Sequence, residues 1–227
     1  LPALRDYRLH GGFDCWRARA GYELADKMEA QVRKYPVTIE YASVEKFRKG
    51  KDGTFTVSLD DGQELHGRTL IVTAGKRNRT LDIDGEARLT GRGVSYCATC
   101  DAPFYRNKVT AVVGGGDSAV QAAMELAAIG TKVYLLVRSR IRASEILVNR
   151  LNKLPNVEVM IGYSPVRITG DKKVDGVDIR NNSSGEESHI EVDGLFVEAG
   201  GIPNNAYLPE EVAVNGKGEI LTDKDGL

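Results

Sequence analysis

Leu24, Met28 and Val32 recur one helical turn apart among acids and lysines in Gly21–Val32, which predicts an amphipathic helix that Tyr35-Pro36 ends. From Val37 to Val72 the apolar period changes to two. The runs VTIEYASV (37–44), TFTVSL (54–59) and ELHGRTLIVTAG (64–75) are broken by Lys51-Asp52-Gly53 and Asp60-Asp61-Gly62, and predict short antiparallel strands joined at Asp-Gly turns. Within them Arg68 to Gly75 is more continuously apolar and β-branched, as expected of a strand covered on both faces. After a polar passage the pattern becomes that of an alternating α/β chain. Val109 to Val113 is a buried strand that runs straight into Gly114-Gly115-Gly116-Asp117-Ser118-Ala119. An alanine-rich helix follows, with Val120, Met124 and Ala127 or Ala128 on one face and Gly130 past its end. Lys132 to Val137, Ala143 to Lys153 and Val157 to Ile161 then read as strand, helix and strand, completing βαβαβ. Residues 165 to 192 alternate around turns at Thr169-Gly170-Asp171 and Asn182 to Gly185, the pattern of an antiparallel meander. Leu195-Phe196-Val197 returns as a buried strand. The fold class is therefore α/β.

Composition narrows the picture. A length of 227 residues allows one large domain or two modest ones, and 41% hydrophobic with 28% charged residues is globular. Thirty-one Lys plus Arg against 32 Asp plus Glu leave a net charge of −1, which gives no electrostatic case for nucleic acid or an acidic membrane as partner. No run of 18 apolar residues is present. The first residues, LPALRDYRLHGG, lack the features of a secretory signal, so a cytoplasmic location is the default expectation.

Candidate chemistry gathers at three places. Gly114-X-Gly116-X-X-Ala119 sits between a buried strand and a helix, where Gly114 permits a tight turn, Gly116 admits a pyrophosphate and Ala119 lets helix and strand pack closely. Asp117 and Ser118 open that helix, whose N-terminal N–H groups and dipole favour phosphate. A glycine turn that serves packing alone is the competing reading. Where an acid for a ribose 2′-hydroxyl is usual, the chain has Val137-Arg138-Ser139-Arg140-Ile141-Arg142. These guanidiniums suit a 2′-phosphate or, alternatively, a solvated basic face. The third place is Cys97-Ala98-Thr99-Cys100-Asp101. Three cysteines are too few for a disulfide framework. Cys15, His10, His66 and His189 are too scattered to complete a zinc site, so no metal is expected. A redox dithiol remains, with Asp101 placed to move protons should burial raise its affinity for them. Cys15, beside Trp16, reads as a packed thiol.

The block Gly93-Val94-Ser95-Tyr96-Cys97-Ala98-Thr99-Cys100-Asp101-Ala102-Pro103-Phe104-Tyr105, together with Gly114 to Ala119, Arg138 to Arg142 and Arg142 to Leu147, resembles low-molecular-weight thioredoxin reductases from about Gly11 onward. Their relatives include the flavoprotein subunit of alkyl hydroperoxide reductase and ferredoxin-linked flavin thioredoxin reductases. The resemblance implies a flavoprotein of two dinucleotide-binding domains. Residues 1–92 would be a partial FAD domain, 93–216 an inserted Rossmann-like pyridine-nucleotide domain with the meander and the cysteine pair, and 217–227 the start of the return. Thr73-Ala74-Gly75 matches the family's turn near FAD, with its first two residues transposed. The cysteine matching Cys100 would lie against flavin, that matching Cys97 would attack a partner disulfide, and Asp101 would handle protons. Gly114, Gly116, Asp117, Ser118 and Ala119 would hold the nucleotide, with Arg138 and Arg142 on its 2′-phosphate. The family also has a glycine-rich fingerprint that would precede Leu1 and a Gly-Asp segment that would follow Leu227, so a longer natural chain is expected. The implied activity is transfer of electrons from NADPH through FAD to thioredoxin or a thioredoxin-like protein, in a homodimer. Only two of four NADPH-selecting positions, Arg138 and Arg142, are retained, which leaves ferredoxin as an alternative donor. A peroxiredoxin-type partner and a non-catalytic nucleotide-binding interaction module are the other readings.

Overall fold

A computed structural model describes residues 21–224. Cys15 and His10 lie outside them. The chain divides into two compact units between Arg68 and Thr69.

In the first unit, helix α1 (Gly21–Val32) is the expected amphipathic helix, although Met28 and Val32 stay exposed. Strands β1 (Val44–Lys49), β2 (Phe55–Leu59) and β3 (Glu64–Gly67) form an antiparallel sheet in that order. Both Asp-Gly turns are present, with Gly53 at φ 83° and Gly62 at φ 85°. The first strand begins where the run 37–44 ends. The expected buried strand from Arg68 to Gly75 is not formed: residues 68–75 have no regular structure and Ile71 is 85% exposed. Its β-branched residues favour a pleated surface, but among the described residues no strand lies alongside to complete the main-chain ladder.

The second unit opens with β4 (Lys76–Asn78), α2 (Glu86–Leu89), β5 (Val94–Ser95), α3 (Ala98–Asp101) and a 3₁₀ turn at Ala102–Tyr105. Then come β6 (Val109–Val113), α4 (Asp117–Ala127), β7 (Lys132–Val137), α5 (Glu145–Leu151) and β8 (Val157–Ile161). The meander is β9 (Tyr163–Thr169), β10 (Gly176–Asn181) and β11 (Glu187–Glu191), followed by β12 (Gly194–Val197) and β13 (Gly201–Pro203). A parallel sheet runs β5-β12-β6-β7-β8, with β8 at its edge, where Lys132 of β7 pairs with Glu158 at 2.8 Å. The meander forms a separate antiparallel sheet, and β13 pairs with β4, a ribbon the sequence pattern leaves as polar passage and loop.

Alternation along the central strands shows how the layers are held. Val112, Val133, Leu135, Val137 and Phe196 face one way and pack with Ala119, Val120, Ala123 and Leu126 of α4. Ala111, Val113, Leu136, Leu195 and Val197 face the other way and pack with Ile168, Val177 and Ile179 of the meander. The parallel sheet is thus covered on both faces, as its continuous apolar runs require. Residues 69–92 also belong to this unit: Leu89 is fully buried, the Ile168 N–H donates to the Asp84 carbonyl at 2.9 Å, and Arg88 donates to the Gly170 carbonyl at 2.8 Å.

Across the meander, Asp178 of β10 accepts from Arg167 Nε of β9 at 2.7 Å and meets His189 Nδ1 of β11 at 2.6 Å. The His189 hydrogen bond, and then Arg167, hold the Asp178 carboxyl below its usual range against the opposing effect of burial. A depressed folded-state pKa gives stability that is complete above the unfolded value near pH 4 and is lost as pH falls through the folded one. Urea unfolding from pH 7 to 3 should show wild type losing stability over the acid end, with Asp178→Asn less stable at pH 7 and flatter below about pH 4.

Candidate active site

The parallel strands end at one edge of their sheet, and the candidate residues follow those ends. Beyond β5, Cys97 caps α3: its Sγ accepts the Cys100 N–H at 3.2 Å, and the two cysteines are joined in a disulfide with Cα atoms 5.3 Å apart. Cys-X-X-Cys across one short turn brings the sulfurs together without backbone rearrangement. Cys97 is half-buried and Cys100 exposed. A main-chain N–H aimed at Sγ is the kind of contact that favours a thiolate in a reduced pair. Asp101 is half-buried, and its N–H donates to the Cys97 carbonyl at 3.1 Å.

Ser95 braces the turn from the strand end, its hydroxyl accepting the Cys97 N–H at 3.1 Å. The neighbouring Tyr96 donates its phenol to Glu86 Oε1 at 2.7 Å. Glu86 is almost fully buried, yet its carboxylate also accepts the Leu81 N–H at 2.9 Å and the Asp82 N–H at 2.8 Å. Burial first, then the hydrogen bond to Glu86, pushes the Tyr96 phenol up to about 12. Downstream, Tyr105 is buried edge-on against Phe196, with ring centroids 5.0 Å apart. A Cβ at Gly194 would collide with that ring, so the last apolar residue of the redox turn is seated on bare backbone of β12.

Beyond β6 comes the glycine turn. Gly114 has φ 149°, and a Cβ there would run into the Glu198 carbonyl and stand 2.8 Å from the Ala119 methyl. Ala119 is itself fully buried. Gly116 differs: its backbone is extended, and a Cβ would have nothing within 4 Å. It precedes α4, whose N-terminus has no side-chain cap. Open space beside uncapped N–H groups fits a nucleotide pyrophosphate. The Asp117 carboxylate accepts the Ser144 N–H at 2.7 Å and so fixes the start of α5; Ser118 is exposed.

The loop after β7 lies over this turn. The Arg142 N–H donates to the Gly115 carbonyl at 2.6 Å, and the Arg138 carbonyl accepts from Asn182 Nδ2 at 2.8 Å, while both guanidiniums remain exposed. Thr73, Ala74 and Gly75 form an exposed segment, clamped because the Ala74 and Gly75 carbonyls accept from Asn204 at 2.9 and 3.0 Å. Space is open at Gly75, and Cys100, the other residue expected beside flavin, is exposed on its turn.

Beyond β12 stands Glu198, which the sequence reading does not single out although an acid closing a buried parallel strand is visible there. It is half-buried. Burial pushes its carboxyl up, opposed by the charge of Lys76 and by the nearby Ala98 main chain. Glu86 and Asn204 carry no local sequence signal, since their partners are set by chain crossings. Among the described residues no cluster of three His, Cys, Asp or Glu is arranged to hold a metal, and no helix is long and apolar enough to cross a membrane.

Residues 10–226 match the family described as pyridine nucleotide-disulphide oxidoreductase. The chain is 37% identical over 211 residues to the NADH dehydrogenase of Bacillus subtilis strain 168, covering 92% of this chain and 41% of that protein. It is 35% identical over 210 residues to an alkyl hydroperoxide reductase subunit of Xanthomonas campestris pv. phaseoli, covering 91% and 40%. The thioredoxin reductase of Lactococcus lactis, solved in its FR conformation, superposes with a TM-score of 0.77 at 32% identity, covering 90% of this chain and 67% of that one. The chain therefore spans about two fifths of the length of the curated relatives it matches.

The two glycines should separate in a stability measurement. Gly114→Ala meets backbone at a conformation side chains avoid and should cost at least about 2 kcal/mol in urea unfolding, whereas Gly116→Ala should stay within about 0.5 kcal/mol of wild type.

Proposed function

The chain belongs to the pyridine nucleotide-disulphide oxidoreductase family, and from that premise we propose that it is the redox-dithiol portion of a flavin-dependent disulfide reductase acting on thioredoxin or a thioredoxin-like protein. The observation that carries the reading is the Cys97–Cys100 disulfide on a short turn, with an N–H already aimed at Cys97 Sγ. Residues 93–216 are assigned to the pyridine-nucleotide domain and 1–92 with 217–227 to the flavin domain, of which 69–92 pack within the second compact unit. A homodimer in the cytoplasm is part of this reading.

Gly114, Gly116 and the first N–H groups of α4 hold the nucleotide pyrophosphate, with Ala119 keeping the helix close and Asp117 and Ser118 at its mouth. Arg138 and Arg142 reach the 2′-phosphate of NADPH. Flavin, when bound near Thr73, Ala74 and Gly75, supplies a two-electron carrier between nucleotide and disulfide. Two electrons and two protons turn the disulfide into Cys97 and Cys100 thiols. The Cys97 thiolate then attacks the partner disulfide, giving a mixed disulfide and a partner thiolate, which Asp101 is placed to protonate. Cys100 attacks the Cys97 sulfur, releasing the second partner thiol and restoring the Cys97–Cys100 bond.

NADH is a second reading of the donor, favoured by the relative named NADH dehydrogenase at 37% identity. Titrations with NADPH and NADH should show the Arg138→Ala, Arg142→Ala chain losing about tenfold or more in NADPH affinity and little in NADH affinity. Equal losses would favour NADH, and reduction by ferredoxin alone would replace both.

The partner assignment rests on trapping. A Cys100→Ser chain incubated with a thioredoxin activated as a mixed disulfide should form a covalent heterodimer through Cys97, and Cys97→Ser should not. An adduct only at Cys100 reverses the two roles, and none at either cysteine removes the reductase reading.

A further inference from the structure

The loop of residues 138–144 carries the arginines that follow β7, and its main chain is tied down from two sides. On one side it lies on the glycine turn. The Arg142 N–H donates to the Gly115 carbonyl at 2.6 Å, the Ser144 N–H donates to Asp117 Oδ1 at 2.7 Å, and a Cβ at Gly115 would stand 2.9 Å from the Arg140 carbonyl oxygen. On the other side the tie is the hairpin between β10 and β11. Asn182 Nδ2 donates to the Arg138 carbonyl at 2.8 Å, while the Asn182 N–H donates to the Gly162 carbonyl at 2.7 Å. The Gly162 N–H donates in turn at 2.8 Å to the carbonyl of Val137, the last residue of β7. One residue of the meander therefore reaches the end of β7 twice, directly at Arg138 and through Gly162 at Val137.

The hairpin is itself fixed. Asn181 Oδ1 accepts the Ser183 N–H at 2.9 Å and the Ser184 N–H at 3.2 Å, and the Asn181 carbonyl accepts the Gly185 N–H at 2.8 Å. Asn182 is thus held on an ordered turn with its amide nitrogen toward a carbonyl that can only accept.

From this arrangement we propose that Asn182 is a positioning residue for nucleotide choice, which anchors the main chain of Arg138 and so favours recognition of a 2′-phosphate over a bare ribose. The inference rests on the assignment of Arg138 and Arg142 to the 2′-phosphate above, and adds to it a residue from outside the βαβ unit. Asn182 acts through Arg138 and is not placed on the nucleotide. Arg138 is exposed, so a loose main chain beneath it would have to be ordered together with its side chain when an anion binds. Anchoring the carbonyl beforehand removes that part of the cost. The pyrophosphate end of the site, at Gly116 and the start of α4, does not depend on this tie. Loss of the Asn182 amide should therefore be felt at the 2′-phosphate alone.

The measurement is calorimetric titration of the 227-residue chain with adenosine 2′,5′-bisphosphate and with adenosine 5′-monophosphate, which differ only in the 2′-phosphate. Wild type should bind the bisphosphate more tightly. Asn182→Ala should weaken it by about threefold to tenfold, the range for loss of one hydrogen bond, and leave the monophosphate within about twofold. Asn182→Leu, close to asparagine in size but without a donor or a charge, should behave in the same way, and it carries the comparison should Asn182→Ala fail to fold. In an Arg138→Ala background, Asn182→Ala should cost nothing further. Equal losses on the two probes mark a purely structural role and overturn the proposal. A loss that persists undiminished in the Arg138→Ala background overturns it too, because Asn182 would then act elsewhere. A wild type with no preference between the probes removes the 2′-phosphate assignment and this inference with it, and one that binds neither removes the nucleotide reading as a whole. A wild-type preference that survives both Asn182 variants sinks this inference alone.

Discussion

The ladder that inserts β12 between β5 and β6 joins residues 194–197 to residues 94–95 on one side and 110–113 on the other. Because all three strands are parallel, their carboxyl ends emerge at one edge of the sheet, where ligands bind in open α/β folds. Without β12, β5 would have no neighbour in this sheet, and the turn that begins two residues after it would lose its footing. The two-residue β5 has little ladder of its own. Its position therefore depends on apolar burial from both directions, with Val94 in the meander-side core and Ala98 and Ala102 in the helix-side core.

Much of this edge is legible from local sequence. Gly114 to Ala119 is bracketed by a strand and a helix, and each residue type answers a steric question posed within six positions. The cysteine pair is equally local, since one short turn closes it. Legibility fails where the partner is distant. Arg68 to Gly75 has the composition of a buried strand, but composition does not say whether a neighbouring strand is present, and among the described residues none lies beside it. Asp117 suits the mouth of a phosphate site by type, yet its carboxylate is engaged by Ser144, 27 residues on. Glu86 and Tyr96 look unremarkable in sequence because their hydrogen bond depends on how the chain turns between them.

The polar groups around the disulfide form a graded set. Glu86 is buried and saturated by two main-chain amides and a phenol, so it is committed to structure. Glu198 is half-buried, and burial raises its carboxyl against the opposing charge of Lys76. Asp101 lies on the turn itself. Carboxyl groups of this region thus differ in how completely neighbouring N–H and O–H groups satisfy them, and Glu86 is the one fixed as a brace.

Strand β8 closes the far side of the same sheet, and no described strand covers its outer row of amides and carbonyls. Such a rim is a template on which another extended chain can lie, and over many copies that leads to fibrils. Edge strands commonly carry charge against such pairing, and β8 carries Glu158, tethered to Lys132 of its inner neighbour. The direct contribution of that ion pair to folding stability is small.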